Sequence, residues 1–229
     1  MLKVEKNRLN LPSKDLIIRS LELFFKHLHP LPAYAFLHKA SLIQSYNAGQ
    51  AYHALLLGII GITSQLCESM HDAQDYGTSC VDTAASSILA DLETPSVFKL
   101  QSLVLIIRHR MAMRRFSSAF MLLSIAARMA FAMRLNYENP NLCFLAQESR
   151  RRLMWTLYML DSTWSAGLQE YTLCPSDIIY LQLPGTEEDF ELDTARTTSS
   201  LFENLGQDKE LSILAYYIRI MSLRYSILR

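Results

Sequence analysis

Apolar residues recur along this chain at the three-and-four spacing of a helix face, in almost every stretch between its Pro and Gly punctuation. Ser13 after Pro12 reads as an N-cap, and Leu16, Ile17, Leu21, Phe24, Phe25 and Leu28 follow at helical spacing until His29-Pro30 stops the run. After Pro32 the pattern predicts a shorter helix over residues 36–46, then an apolar one over 50–67 and a fourth over 72–92. Pro95-Ser96 opens a fifth, with Val97, Leu100, Leu103, Val104 and Ile107 on one face. Residues 116–134 form a helix rich in alanine, which lets a neighbour approach closely. Pro140 breaks the chain within 136–141, and residues 147–168 then carry the strongest amphipathic pattern. Residues 175–200 hold Pro184-Gly185 and the acidic run Glu187, Glu188, Asp189, and read as an extended surface loop. A last helix over 207–228 reaches Arg229 without a stop signal, as expected of one that continues within a larger domain.

The expected fold is therefore all-α: a single multi-helix domain over residues 1–229 with a core at about 13–190. Seven or eight helices pack together, with a long loop before the last. Half the residues are apolar and only seven are Gly and seven Pro, too little turn chemistry for a sandwich or barrel. No repeat of 30–45 residues appears, which argues against a helical solenoid.

Charge narrows the function classes. Lys and Arg total 22, as do Asp and Glu, so no net positive field favours sequence-independent binding to phosphate backbones. Cys67, Cys80, Cys143 and Cys174 are scattered without a C-x-x-C pair, the usage of a reducing compartment. Residues 40–67 lack any Asp, Glu, Lys or Arg, but polar residues interrupt them well short of the roughly 20 apolar residues a bilayer span needs. They read as a buried core helix, with no membrane partner expected.

Several blocks carry a resemblance. Leu23-Phe24-Phe25-Lys26-His27-Leu28-His29-Pro30 with Leu37-His38, and Ala126-Ala127-Arg128-Met129-Ala130 before Leu135-Asn136, are two of them. The third and most specific is Glu148-x-Arg150-Arg151-Arg152-x-x-Trp155 followed by Asp161. Together with Leu183-Pro184 and Glu187-Glu188 they resemble the fungal-specific transcription factor domain, the regulatory middle region of fungal zinc-cluster regulators. Met154 stands where that family usually has a second tryptophan, Asn136 where it has a glycine, and Leu168-Gln169-Glu170-Tyr171 where it has Gly-Arg-Pro.

The resemblance implies a nuclear regulator whose DNA contacts come from a separate zinc-cluster module outside these residues. This region would act through other parts of the regulator, co-regulators, a second copy or a small apolar effector, with no cofactor and no catalytic residues. The alternative is a stand-alone helical enzyme or small-molecule-binding protein on the same fold. A cysteine-rich basic segment before Met1 favours the regulator, and a true start at Met1 favours the alternative or a DNA-free corepressor.

The charged residues admit competing uses. Glu148 lies one turn from both Arg151 and Arg152, so it heads either a solvated charged face or a network that docks the helix. Trp155 and Trp164 are expected to pack against the helix at 116–134. Asp161 has no cation three or four residues away, so its partner is sought elsewhere, Arg128 first and a backbone N–H as the alternative. Arg108, His109, Arg110, Arg114 and Arg115 form either a phosphate-facing patch or cations complementing a helix C-terminus. Cys67, His71 and Cys80 lack paired ligand spacing, and Asp72-x-x-Asp75 lacks a second metal motif. The methionines of the central helices serve either as core filler or as an adaptable cavity lining.

Overall fold

The computed structural model describes residues 12–66, 71–203 and 211–228. Among them nine α-helices and a few single turns account for the regular structure, with two isolated β-bridges. α1 (Lys14–Leu23) begins where the Ser13 hydroxyl accepts from the Leu16 N–H. It runs into a wider π-type turn, Phe24–Leu28, closed by the His29 N–H on the Phe24 carbonyl. This turn buries Phe24 and Leu28 together and brings His29 inward while His27 stays exposed. α2 (Lys39–Asn47) is capped by His38, whose Nδ1 accepts from the Ser41 N–H at 3.2 Å.

α3 (His53–Ser64) is buried on all sides, which explains why its sequence shows no polar face. It packs against α1, against α4 (His71–Leu89) and against α5 (Val97–Ala112). The α3–α4 crossing depends on two glycines: a Cβ on Gly61 would lie 2.1 Å from the Val81 side chain, and one on Gly77 would lie 2.0 Å from the Ser64 hydroxyl. α5 starts on a Ser96 cap and packs in turn on α6 (Phe116–Ala132). The alanines of α6 at positions 119, 126, 127 and 130 are buried, as close approach requires. α6 meets α7 (Phe144–Ser165), and α7 meets α9 (Ile213–Leu228). One contiguous apolar core runs from Ile17 to Met221.

The stretch expected to be a surface loop is exposed only in part, chiefly over residues 191–197, and the rest is a strap that packs inward. Cys174, Ile179, Leu181, Leu183, Phe190 and Leu201 are all in the core or packed inward, and the acidic run forms the short helix α8 (Glu187–Glu191). After α7, Ala166 and Gly167 take left-handed backbone angles that reverse the chain. The strap then pairs with the segment after α6: the Tyr180 N–H donates to the Asn136 carbonyl, and the Asn136 amide donates to the Ile178 carbonyl at 2.9 Å. Acid runs ordinarily mark solvated chain, but here Glu187 pairs with Arg152 on α7 and Asp189 bonds to Thr186 at the start of α8.

Candidate functional site

The Glu148–Arg152 motif lies on the first half of α7, facing the strap. Spacing of three and four residues puts Glu148, Arg151 and Arg152 on one helix face, and all three are buried. Arg152 is fully buried and has all five of its N–H donors matched. Nε donates to Glu148 at 2.9 Å; one terminal nitrogen donates to the Ala35 carbonyl and to Glu187, the other to the Gly185 and Thr186 carbonyls. Its guanidinium also lies 4.1 Å from the centre of the Phe190 ring. Glu148 accepts in return from the Gly185 N–H at 3.0 Å and from Arg151.

Arg151 extends the network to Glu138, which also accepts from the Gln182 N–H at 2.9 Å and from the Gln147 amide. Trp155, fully buried one turn further on, donates its indole N–H to the Gln182 carbonyl at 2.8 Å. Three segments distant in sequence thus converge on one helix face: residue 35, the 136–138 segment and the strap at 182–190. A solvated charged face is excluded by this burial.

Arg150 stands apart. It is half-buried and donates to the Met133 carbonyl, but among the described residues no carboxylate pairs with it. Asp161 is 1% exposed, and its Oδ2 accepts from the backbone N–H groups of Leu173 and Cys174 at 2.9 and 2.8 Å. Arg128 is exposed on α6 and is not its partner, which corrects the pairing expected first. A carboxylate just before a chain reversal finds backbone donors nearer than any side chain across an interface. Burial pushes the Asp161 carboxyl above the usual carboxylate range, its two backbone bonds only partly offsetting this.

Trp164 docks on α6 as expected, edge-on to Phe116 at 6.0 Å and tilted against Phe120 at 6.2 Å, whereas Trp155 is fixed to the strap. The basic cluster at the end of α5 does not form one outward patch. Arg110 is buried against Asp82, Arg108 stacks over Tyr34 at 4.7 Å, and His109 is fully buried. Met129, Met154 and Met159 fill the core. Asp72 and Asp75 are exposed on α4, Cys80 is buried, and Cys67 lies outside the described residues. Among the described residues no three His, Cys, Asp or Glu side chains group to hold a metal ion, and no helix is long and apolar enough to cross a membrane.

The family model described as the fungal specific transcription factor domain matches residues 21–228. The chain belongs to this family. A Zn(2)-C6 fungal-type transcription factor of Fusarium oxysporum is 25% identical over 207 residues, covering 83% of this chain and 22% of that protein. A transcriptional regulatory protein of Schizosaccharomyces pombe is 22% identical over 241 residues, covering 93% and 24%. The lactose regulatory protein of Kluyveromyces lactis is 25% identical, covering 77% and 21%. The chain thus spans about a fifth to a quarter of the length of these relatives. No solved structure matches it.

Sequence reasoning found the motif but missed Glu138, Gln182 and Glu187 as its partners. No local signal marks them, since they pair with α7 from 9 to 35 residues away.

The buried His109 provides a pH test. Burial, then the nearby Arg110 and Arg115, push its imidazole down to about 4, whereas the unfolded chain keeps a value of about 6.5. The unfolded state therefore binds the proton first. Stability from this group is complete above about pH 6.5, drains as pH falls toward about 4, and levels off below that. His29, also pushed down by burial, acts in the same direction. Urea unfolding from pH 7 to 4 is expected to show falling stability, with a shallower slope in His109→Gln.

Proposed function

We propose that this chain is the regulatory region of a nuclear fungal transcription factor, in which it restrains or licenses transcription. DNA is read by a separate zinc-containing module, the only metal this reading calls for, and no catalytic step is assigned to the chain. The observation that carries the reading is the outer face of α9. Ile213, Ile220, Leu223 and Ile227 are 80%, 58%, 64% and 82% exposed, and their spacing of three, four and seven aligns them in one apolar stripe. Such stripes mark contact surfaces rather than solvated helices. The occupant is another region of the same regulator, since the related proteins are four to five times longer than the segment they share with this chain.

The test is made in the full regulator. Ile220→Asp with Leu223→Asp should alter the transcript profile of the host while leaving the protein's abundance unchanged. Constitutive transcription marks a restraining contact and lost transcription a licensing one. An unchanged profile at equal abundance overturns the proposal. If the wild-type chain instead elutes as a dimer that the substitutions split, the occupant is a second copy and the assignment to another region fails.

A further inference from the structure

We infer that the cleft between α2, α3, α5 and the first turns of α7 binds an amphipathic monocarboxylate: an apolar body with a single carboxylate head. The cleft has a volume of about 450 Å³, within the range of roughly 300–1,000 Å³ typical of ligand sites. Leu37, Leu42, Leu55, Val97, Phe98 and Leu145 give it apolar walls, and Phe98 is left 55% exposed there. At roughly 30 Å³ per small group, the share of a water in the liquid, there is room for about fifteen non-hydrogen atoms.

Three polar features of the walls select the head. Gln101 lines the cleft and is only 6% exposed, yet among the described residues its amide has no hydrogen-bond partner. Neither amide atom is enclosed without a partner, so the amide opens onto the cleft and can donate to a ligand's head. Arg150 lines the same cleft. It differs from Arg151 and Arg152 in having no carboxylate partner, and its Nε is buried without an acceptor. Burial alone holds its guanidinium below the usual arginine range, the condition an incoming anion relieves. Finally, α7 opens at this wall without a side-chain cap and with no acid of its own in its first turn, so the positive end of a 22-residue helix lies at the site. One guanidinium and one amide suit a single carboxylate; a phosphate calls for more cations than this wall has.

The site deepens the regulatory reading, resting on it for the consequence of binding and not for binding itself. Decanoate and 1-decanol are titrated into the full chain. Two signals are followed: the melting temperature, and the rate at which iodoacetamide alkylates Cys143, which is exposed and lines the cleft. Decanoate should raise the melting temperature and slow alkylation, and decanol should need at least about tenfold higher concentration, the worth of one charge-assisted bond.

Arg150→Gln should abolish that preference while decanol still binds, Arg150→Lys should keep it, and Ala146→Trp should exclude both ligands by filling the cleft. The wild-type comparison of acid with alcohol stands even where a variant fails to fold. Failure of both ligands to protect Cys143, equal binding of acid and alcohol, or a preference that survives Arg150→Gln each overturns the inference. None of these outcomes bears on the α9 test, and an unchanged transcript profile there leaves binding intact.

Discussion

Arg152→Ala should lower the unfolding free energy by about 3–5 kcal/mol, measured by urea denaturation at pH 7. The magnitude follows from what the substitution leaves behind. Glu148 is fully buried and would lose one of its two cationic partners, and the carbonyls of Ala35 and Gly185 would lose their donor. Water cannot enter easily to replace a side chain that is itself wholly enclosed. Arg152→Lys should lose most of the same stability, because a single ammonium offers three donors on a flexible stem where five are used in a planar array. The neighbouring positions set the scale by contrast. Arg150→Gln removes one bond from a half-buried residue and should cost under about 1 kcal/mol. Arg128→Ala, on the exposed face of α6, should stay within about 0.5 kcal/mol of wild type.

Trp155→Ala should cost about 3–5 kcal/mol as well, by a different route. Its ring is fully buried, packs edge-on against Tyr158 at 5.5 Å, and hangs from the Gln182 carbonyl by its N–H. Truncation leaves a cavity that the rigid α7–strap junction cannot close. Trp155→Phe separates the two contributions: it keeps most of the ring volume but strands the carbonyl, and should cost about 1–3 kcal/mol. A thermal melt of Trp155→Ala that matches wild type would mean that the strap does not dock on α7 as described.

The helices were largely legible in the sequence because each announces itself locally. Ser13 and Ser96 cap the helices that follow them, and the apolar spacing of Leu100, Leu103, Val104 and Ile107 places them all in the core. The burial of α3 was equally legible, since a helix with no charged residue has no face to offer water. The strap was not. Its partners are set by contacts across tens of residues, and a run such as Glu187-Glu188-Asp189 looks solvated until Arg152 is known to lie beneath it.

The motif on α7 was legible as a set of residues but only half legible as chemistry. The spacing of Glu148, Arg151 and Arg152 showed that they could pair, while whether water or protein lay outside them depended on the strap. Asp161 misled for a related reason. A cation was expected before a backbone N–H, but the chain reverses just after α7 and returns its own N–H groups at Leu173 and Cys174, which bears out the alternative. Asn136 makes the complementary point: where the family commonly has a glycine, its amide ties the α6–α7 connection to the strap.

These contacts give the family's most specific motif a structural meaning, a buried lock that holds α7 to the strap rather than a surface read by a partner. The most direct test is a double-mutant cycle between Glu148→Ala and Arg152→Ala, with unfolding free energies from urea titrations of all four proteins. A buried lock predicts that the double mutant costs less than the sum of the single mutants by about 1–3 kcal/mol, because each single change strands a charge that the second removes. Coupling below about 0.5 kcal/mol would contradict it, showing that the two side chains are solvated and do not act together.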